Sequence, residues 1–243
     1  MNATTVYVLI VVFLATLIRS ILGFGEALVA VPLLALRIPV NTAAPLAVLL
    51  SVVVAGMVVA QDWRKIYIRS AAWLVVASFI GIPFGLLLIL YADDRIVKVM
   101  LGIVIACFAT YFLTVKPQFH LKTDNRAWLI GAGFLAGVLG GAYGMNGPPL
   151  VVYGTMRRWS PQHFRATLQG YFLPVSLSIL AGYAALGMWT SAITRYFLMA
   201  LPGALAAIVI GRFLNSRLHG DGFYRYLYAG LIIIGGVLIL QNV

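Results

Sequence analysis

The chain has 243 residues, 63% of them hydrophobic and only 9% charged, with a net charge of +11. Soluble domains carry about 25% charged residues, so a soluble fold is excluded. The longest polar gap, from about Lys116 to Arg126, leaves no room for a separate catalytic or nucleotide-binding domain. The basic residues gather in short loops between apolar runs, as the positive-inside rule requires, and no basic face is left over for nucleic acid.

Taken in order, the chain opens on Met1 to Ser20, which has no basic leading region and no small-residue cleavage signature. It reads as a helix rather than a leader. Length and apolar pattern place helices at 4–22, 26–36, 42–61, 69–91, 95–115, 126–141, 148–157, 163–187, 191–211 and 222–242. The expected fold is a single all-α polytopic membrane domain over 1–243. Cys107, the one cysteine, rules out an intrachain disulfide or a cysteine metal cluster. The closing Leu-Gln-Asn-Val243 carries no prenylation signal.

Two stretches, 4–36 and 126–157, are too long for one crossing. The first has 33 residues, about 50 Å of helix at ~1.5 Å per residue against a ~30 Å hydrocarbon core. Glycines interrupt both: Gly23 and Gly25 in one, Gly144 and Gly147 in the other. If both fold back as hairpins and the other six helices cross once, Arg37, Arg95, Lys98 and Arg195 share one side. The other side then carries twelve Lys and Arg, including Arg64, Lys65, Lys116, Arg157 and Arg212, with Arg19 left in the membrane. If both cross, the split is nine against seven. Only the hairpins produce a clear asymmetry, and they put both termini outside the cytoplasm. The arms are unequal, however: 4–22 is ~28 Å long and 26–36 only ~16 Å, so the depth of the tip stays open.

Each half is then one hairpin plus three crossings, 1–115 and 126–243, joined by a loop at 116–125. An odd number of crossings makes the halves inverted repeats, a common transporter architecture. Gly23-Phe-Gly25-Glu-Ala-Leu-Val-Ala-Val-Pro32 parallels Gly141-Ala-Tyr-Gly144-Met-Asn-Gly-Pro-Pro149. Arg37-Ile-Pro39 parallels Arg158-Trp-Ser-Pro161, with a gap of about five residues between the two matches. On this alignment Asn146 falls opposite Glu26.

The glycine break followed by Ala27-Leu-Val-Ala-Val-Pro32, the Gly-Gly-x-Tyr-Gly-x-Asn-Gly-Pro-Pro149 string and Phe164-Arg-Ala-Thr167 together resemble the TauE/SafE sulfite exporter family, also called the 4-toluene sulfonate uptake permease family. The resemblance covers nearly the whole chain. It implies transport of sulfur oxyanions or organosulfonates across a bacterial inner membrane. Glu26 and Ala27 stand where that family more often has glycine.

The residues themselves point to an anion site at the breaks. Half-helices starting near Glu26 and Pro148 would aim positive dipole ends and free N–H groups into the membrane. Gly23, Gly25, Gly144 and Gly147 permit close approach to the backbone. Arg19 and Glu26 are the only charges between Val6 and Leu36. A charge in the core costs at least ~2.5–3.5 kcal/mol, so it faces a partner or a cavity. Three readings stand: a structural ion pair, an anion-attracting Arg19 with Glu26 taking up a proton, or Arg19 snorkelling to an interface. Asn146 is either a sulfonate donor or the cap of the following helix. Tyr143, inside the break, ranks before Tyr153 and Tyr171 as a pathway residue. Arg165 and Gln169, four apart on one helix face, are either loop charge and bystander or a cytoplasmic gate.

The leading function is a secondary transporter of a sulfur-containing anion, proton coupling resting on Glu26. The alternative is an anion channel or facilitator, and a third class is a non-transporting scaffold. Metalloprotease, nucleotide and nucleophile-elbow motifs are all missing from the sequence, so neither an enzyme nor a cofactor is expected. The expected partners are a small anion, membrane lipid and a proton, with small-residue faces that suit a homodimer.

Overall fold

The computed structural model describes residues 2–62, 68–114, 126–157, 161–215 and 221–243. These form ten helices: α1 (Ala3–Leu22), α2 (Glu26–Ala35), α3 (Val40–Asp62), α4 (Ile68–Tyr91), α5 (Asp94–Thr114), α6 (Arg126–Tyr143), α7 (Gly147–Met156), α8 (Pro161–Ala185), α9 (Ser191–Asn215) and α10 (Asp221–Asn242). All ten expected helices are present, with ends shifted by a few residues. Five of them (α1, α3, α4, α5 and α9) hold stretches long and apolar enough to cross a bilayer. Large apolar side chains such as Ile80, Phe84, Val209 and Ile233 are exposed, which suits lipid rather than water as the surrounding solvent.

α1 and α2 fold back on one another. Glu26, at the start of α2, meets Thr16 and Arg19 of α1. Near the other end of α2, the Tyr7 hydroxyl donates to Leu33 O at 2.6 Å, and the Arg37 guanidinium lies 5.4 Å from the Tyr7 ring. α2 has 10 residues, about 15 Å, half of a ~30 Å core. The extra length of α1 therefore lies at both ends of the paired stretch. α6 and α7 fold back likewise: Trp128 and Met156 stand at one end of a shared groove, Leu139 and Pro148 at the other. Val40 N–H donates to Asp94 Oδ1 at 2.9 Å, and Arg95 donates to the carbonyls of Asn242 and Val243. The starts of α3 and α5 and the end of α10 thus share the end of the bundle at which the α1/α2 hairpin opens.

The main helix pairs recur when the halves are exchanged. α1 packs on α9 and α6 on α4; α3 packs on α9 and α8 on α4; α3 pairs with α8, and α5 with α10. Glycine makes the closest of these contacts. A Cβ on Gly133 would lie 2.7 Å from Leu74 O, and one on Gly141 2.5 Å from Ile82 O. The four-residue glycine stripe of α6 is therefore spent inside the chain, against α4. In the α5–α10 pair, a Cβ on Gly102 would meet Gly235 O at 2.7 Å, and one on Gly235 would meet Gly102 O at 2.8 Å.

Candidate functional site

Both breaks use the same backbone device. Gly23 has φ 84 and its N–H donates to Arg19 O at 2.6 Å. Gly144 has φ 67 and its N–H donates to Gly140 O at 2.7 Å. These are left-handed helix ends, which glycine adopts without a Cβ penalty. Two residues later stand the caps, Gly25 (φ 94) before α2 and Asn146 before α7.

This geometry corrects the sequence alignment. Glu26 begins α2 and Gly147 begins α7; Val40 begins α3 and Pro161 begins α8; the offset is 121 residues in both cases. No gap is needed. Gly25 corresponds to Asn146, Glu26 to Gly147 and Arg19 to Gly140. Matching by residue type placed Asn146 opposite Glu26, one position off, because the turn rather than the side chain sets the register.

The two breaks meet around one small cavity. Phe24, Gly25, Glu26 and Ala27 line it from the first break, and Met145, Asn146, Gly147 and Pro148 line it from the second. Ser51 of α3 and Phe172 of α8 close the sides, with Arg19, Leu28 and Gly144. Ser51 and Phe172 are themselves 121 residues apart, so five corresponding pairs line the cavity. Its volume is ≈ 20 Å³, about the room one water needs.

Arg19 is 3% exposed and Glu26 2%. Arg19 Nη1 donates to Glu26 Oε2 at 2.6 Å and to Ser51 Oγ at 2.7 Å, while Thr16 Oγ1 donates to Glu26 Oε1 at 2.7 Å. Both carboxylate oxygens accept a bond. The guanidinium carbon lies 5.2 Å from the Phe172 ring centre, a cation–π distance. Ser51 Oγ is 3.4 Å from Ser176 Oγ on α8. The pair is thus an ion pair and part of the cavity wall at once, and Arg19 does not snorkel.

Several expectations need adjusting. Asn146 occupies the cap position of α7 but makes no side-chain cap bond, and its φ and ψ of −81 and −8 are helical. Its side chain is buried at the cavity wall. Tyr143 does not reach the cavity: its hydroxyl turns towards α5 and donates to Val97 O at 3.2 Å. Gly23 acts as the helix stop and is not among the described lining residues. Tyr171 is engaged elsewhere, 2.6 Å from Ser78 Oγ of α4. Pro148 and Pro149 lack N–H groups, so α7 offers fewer free donors at its start than α2. Arg165 and Gln169 lie on α8, but their side chains are outside those the structure describes.

Sequence reasoning missed Thr16, Ser51, Phe172 and Ser176. Ser51 and Ser176 are polar residues inside apolar runs, and Thr16 lies three residues before Arg19 on the same helix face. Those were usable signals. Phe172 gave none.

The TauE/SafE sulfite exporter family model matches residues 8–239. A protein of Cupriavidus necator strain H16, described as a probable sulfite/organosulfonate exporter TauE, is 22% identical over 234 residues, 94% of this chain and 91% of that protein. No solved structure gives a significant match. With its ten apolar helices matched almost from end to end, the chain belongs to the TauE/SafE sulfite exporter family and is a multi-pass membrane transporter, not an enzyme.

Proposed function

We propose that the chain is a secondary transporter of a sulfur-containing anion (sulfite, thiosulfate or an organosulfonate), with the anion held where the two helix breaks meet. The observation that carries this is the single cavity lined by both half-helix starts and by a buried arginine. N–H groups and dipole ends there favour negative charge. The exchangeable helix pairing, and hairpins that open at opposite ends, support two inverted repeats, 1–115 and 126–243. Positive-inside counting supports an inner-membrane placement with both termini extracytoplasmic.

The buried pair suggests how a proton enters the cycle. Arg19 and Glu26 cancel, so the site is neutral at rest. An anion that takes Arg19 from Glu26 leaves one buried negative charge uncompensated, which is costly. Protonation of Glu26 removes that charge and frees Arg19 for the anion. Anion and proton then travel together. A cavity of ≈ 20 Å³ favours a carrier that must open to load over a standing pore, and trans-stimulation by unlabelled substrate separates the two.

The test is sulfite and organosulfonate flux in proteoliposomes under an imposed pH gradient. Wild type should show gradient-driven uptake, and Glu26→Gln should retain exchange but lose the pH drive. PH-driven uptake by Glu26→Gln would remove the coupling role. Absence of flux or thermal shift with any sulfur anion would remove the substrate class.

A further inference from the structure

Phe172 of α8 reaches between the two anion-attracting parts of the cavity. Its ring centre lies 5.2 Å from the Arg19 guanidinium carbon. Its ring tip, Cζ, lies 3.8 Å from where a Cβ on Gly147 would stand, at the start of α7. Given the anion site proposed above, on which this rests, we infer that Phe172 is its gate and its specificity-determining residue. The ring leaves Arg19 when an anion loads, and its bulk limits the organic group that a sulfonate can carry.

Three observations support this. First, the cavity of ≈ 20 Å³ has room for about one water, and the three oxygens of a sulfite or sulfonate need at least about three times that. Part of the wall must therefore withdraw. Arg19, Glu26 and Ser51 are tied to one another by hydrogen bonds of 2.6 and 2.7 Å. The Phe172 ring has no polar atom and holds Arg19 only through its face, a weaker tie than a buried ion pair.

Second, the repeat does not call for a ring at this place. Phe24 and Met145 also line the cavity, and at 121 residues apart they answer each other, bulk for bulk. Phe172 answers Ser51, so its ring fills space that a small hydroxyl leaves open in the other half. Third, the turn that carries the ring is loosened. Pro174 lies inside α8 and has no N–H to give to Gly170 O. The corresponding positions of α3 are Val53 and Leu49, which keep that bond available. An apolar recess of ≈ 250 Å³, lined by Gly170, Leu173 and Pro174 against α3 and α4, leaves the turn room to shift.

The experiment is isothermal titration of the purified full chain with sulfite, ethanesulfonate and benzenesulfonate at one pH. Wild type should bind sulfite at least about tenfold more tightly than benzenesulfonate, the scale on which a pocket discriminates by size. Phe172→Ala should abolish that preference by tightening benzenesulfonate, with sulfite affinity held or raised because Arg19 is uncovered. Phe172→Leu, which keeps an apolar filler should the alanine variant fail to fold, should narrow the preference. A structural role alone would weaken all three anions together. An unchanged ratio in a folded variant that still binds therefore overturns the inference, as does a wild type that binds sulfite and benzenesulfonate alike. Absence of binding by every anion, in wild type and both variants, overturns the anion site itself and the gate with it.

Discussion

The two helix breaks share a backbone and differ in chemistry. Each has a left-handed glycine two residues before a cap, followed by a 10-residue half-helix. The first break carries Arg19 and Glu26, where the second carries Gly140 and Gly147. Four N–H groups open α2, at Gly25, Glu26, Ala27 and Leu28; prolines at 148 and 149 leave α7 with those of Asn146 and Gly147. The first break thus supplies charge and donors, and the second supplies a wall and one amide side chain. A near-symmetric scaffold holds an asymmetric site, because shape can be repeated while a single buried ion pair needs only one copy. A second pair beside the first would add its own desolvation penalty of several kcal/mol per ion.

The largest test of this asymmetry is Arg19→Ala. It strands Glu26 in a buried site and should cost about 3–5 kcal/mol, read by denaturant or thermal unfolding in detergent, together with loss of sulfite binding. An unfolding midpoint close to wild type would mean the pair is not what distinguishes the first break.

The next test compares the glycines of the two turns. Alanine at either Gly144 or Gly25 incurs about 1–2 kcal/mol for the left-handed conformation. At Gly144 the added Cβ also sits 2.9 Å from Val48 Cγ2, whereas at Gly25 it meets nothing within 4 Å. Gly144→Ala should therefore unfold at lower temperature than Gly25→Ala. The reverse order would show that the second break is the looser one.

Asn146→Ala should fall between these and the mildest change. Its side chain makes no cap bond, so stability should move by less than the ~1 kcal/mol of a lost cap, while anion affinity measured by thermal shift drops. A full cap penalty with unchanged affinity would assign it to α7 alone. The smallest effect belongs to Gly147→Ala. Its Cβ would stand 3.8 Å from Phe172 Cζ, an ordinary contact, and the stability change should stay within about 0.5 kcal/mol. A large loss there would mean that the second break needs glycine for packing where the first accommodates glutamate.

Most of the scaffold could be read from residues. Run lengths located ten helices. Over-long runs with central glycines marked the two hairpins, and loop charge favoured fold-back before any contact was known. The glycine stripe at 133, 137 and 141 pointed to close helix packing, and it packs on α4. Of the candidate residues, Arg19, Gly25, Glu26, Gly144, Asn146, Gly147 and Pro148 line one cavity. The place of Tyr143 in the chain says nothing about the direction of its hydroxyl, which turns to Val97 O of α5. Ser51 and Phe172 were passed over because their helices read as ordinary spans.

The sequence by itself determined which stretches are apolar and long enough to cross, where the helices break and which charges lie inside apolar runs. Those depend on local length, glycine and hydropathy, and a bilayer makes them strict by leaving no water for stray backbone groups or unpaired charges. Only the tertiary structure decided that the breaks meet, that their register is 121 residues, and that Arg19 is held between Glu26, Ser51 and Phe172. Those relations join residues up to about 150 positions apart in the chain, and they exist only once α3 packs on α8 and the two hairpins converge.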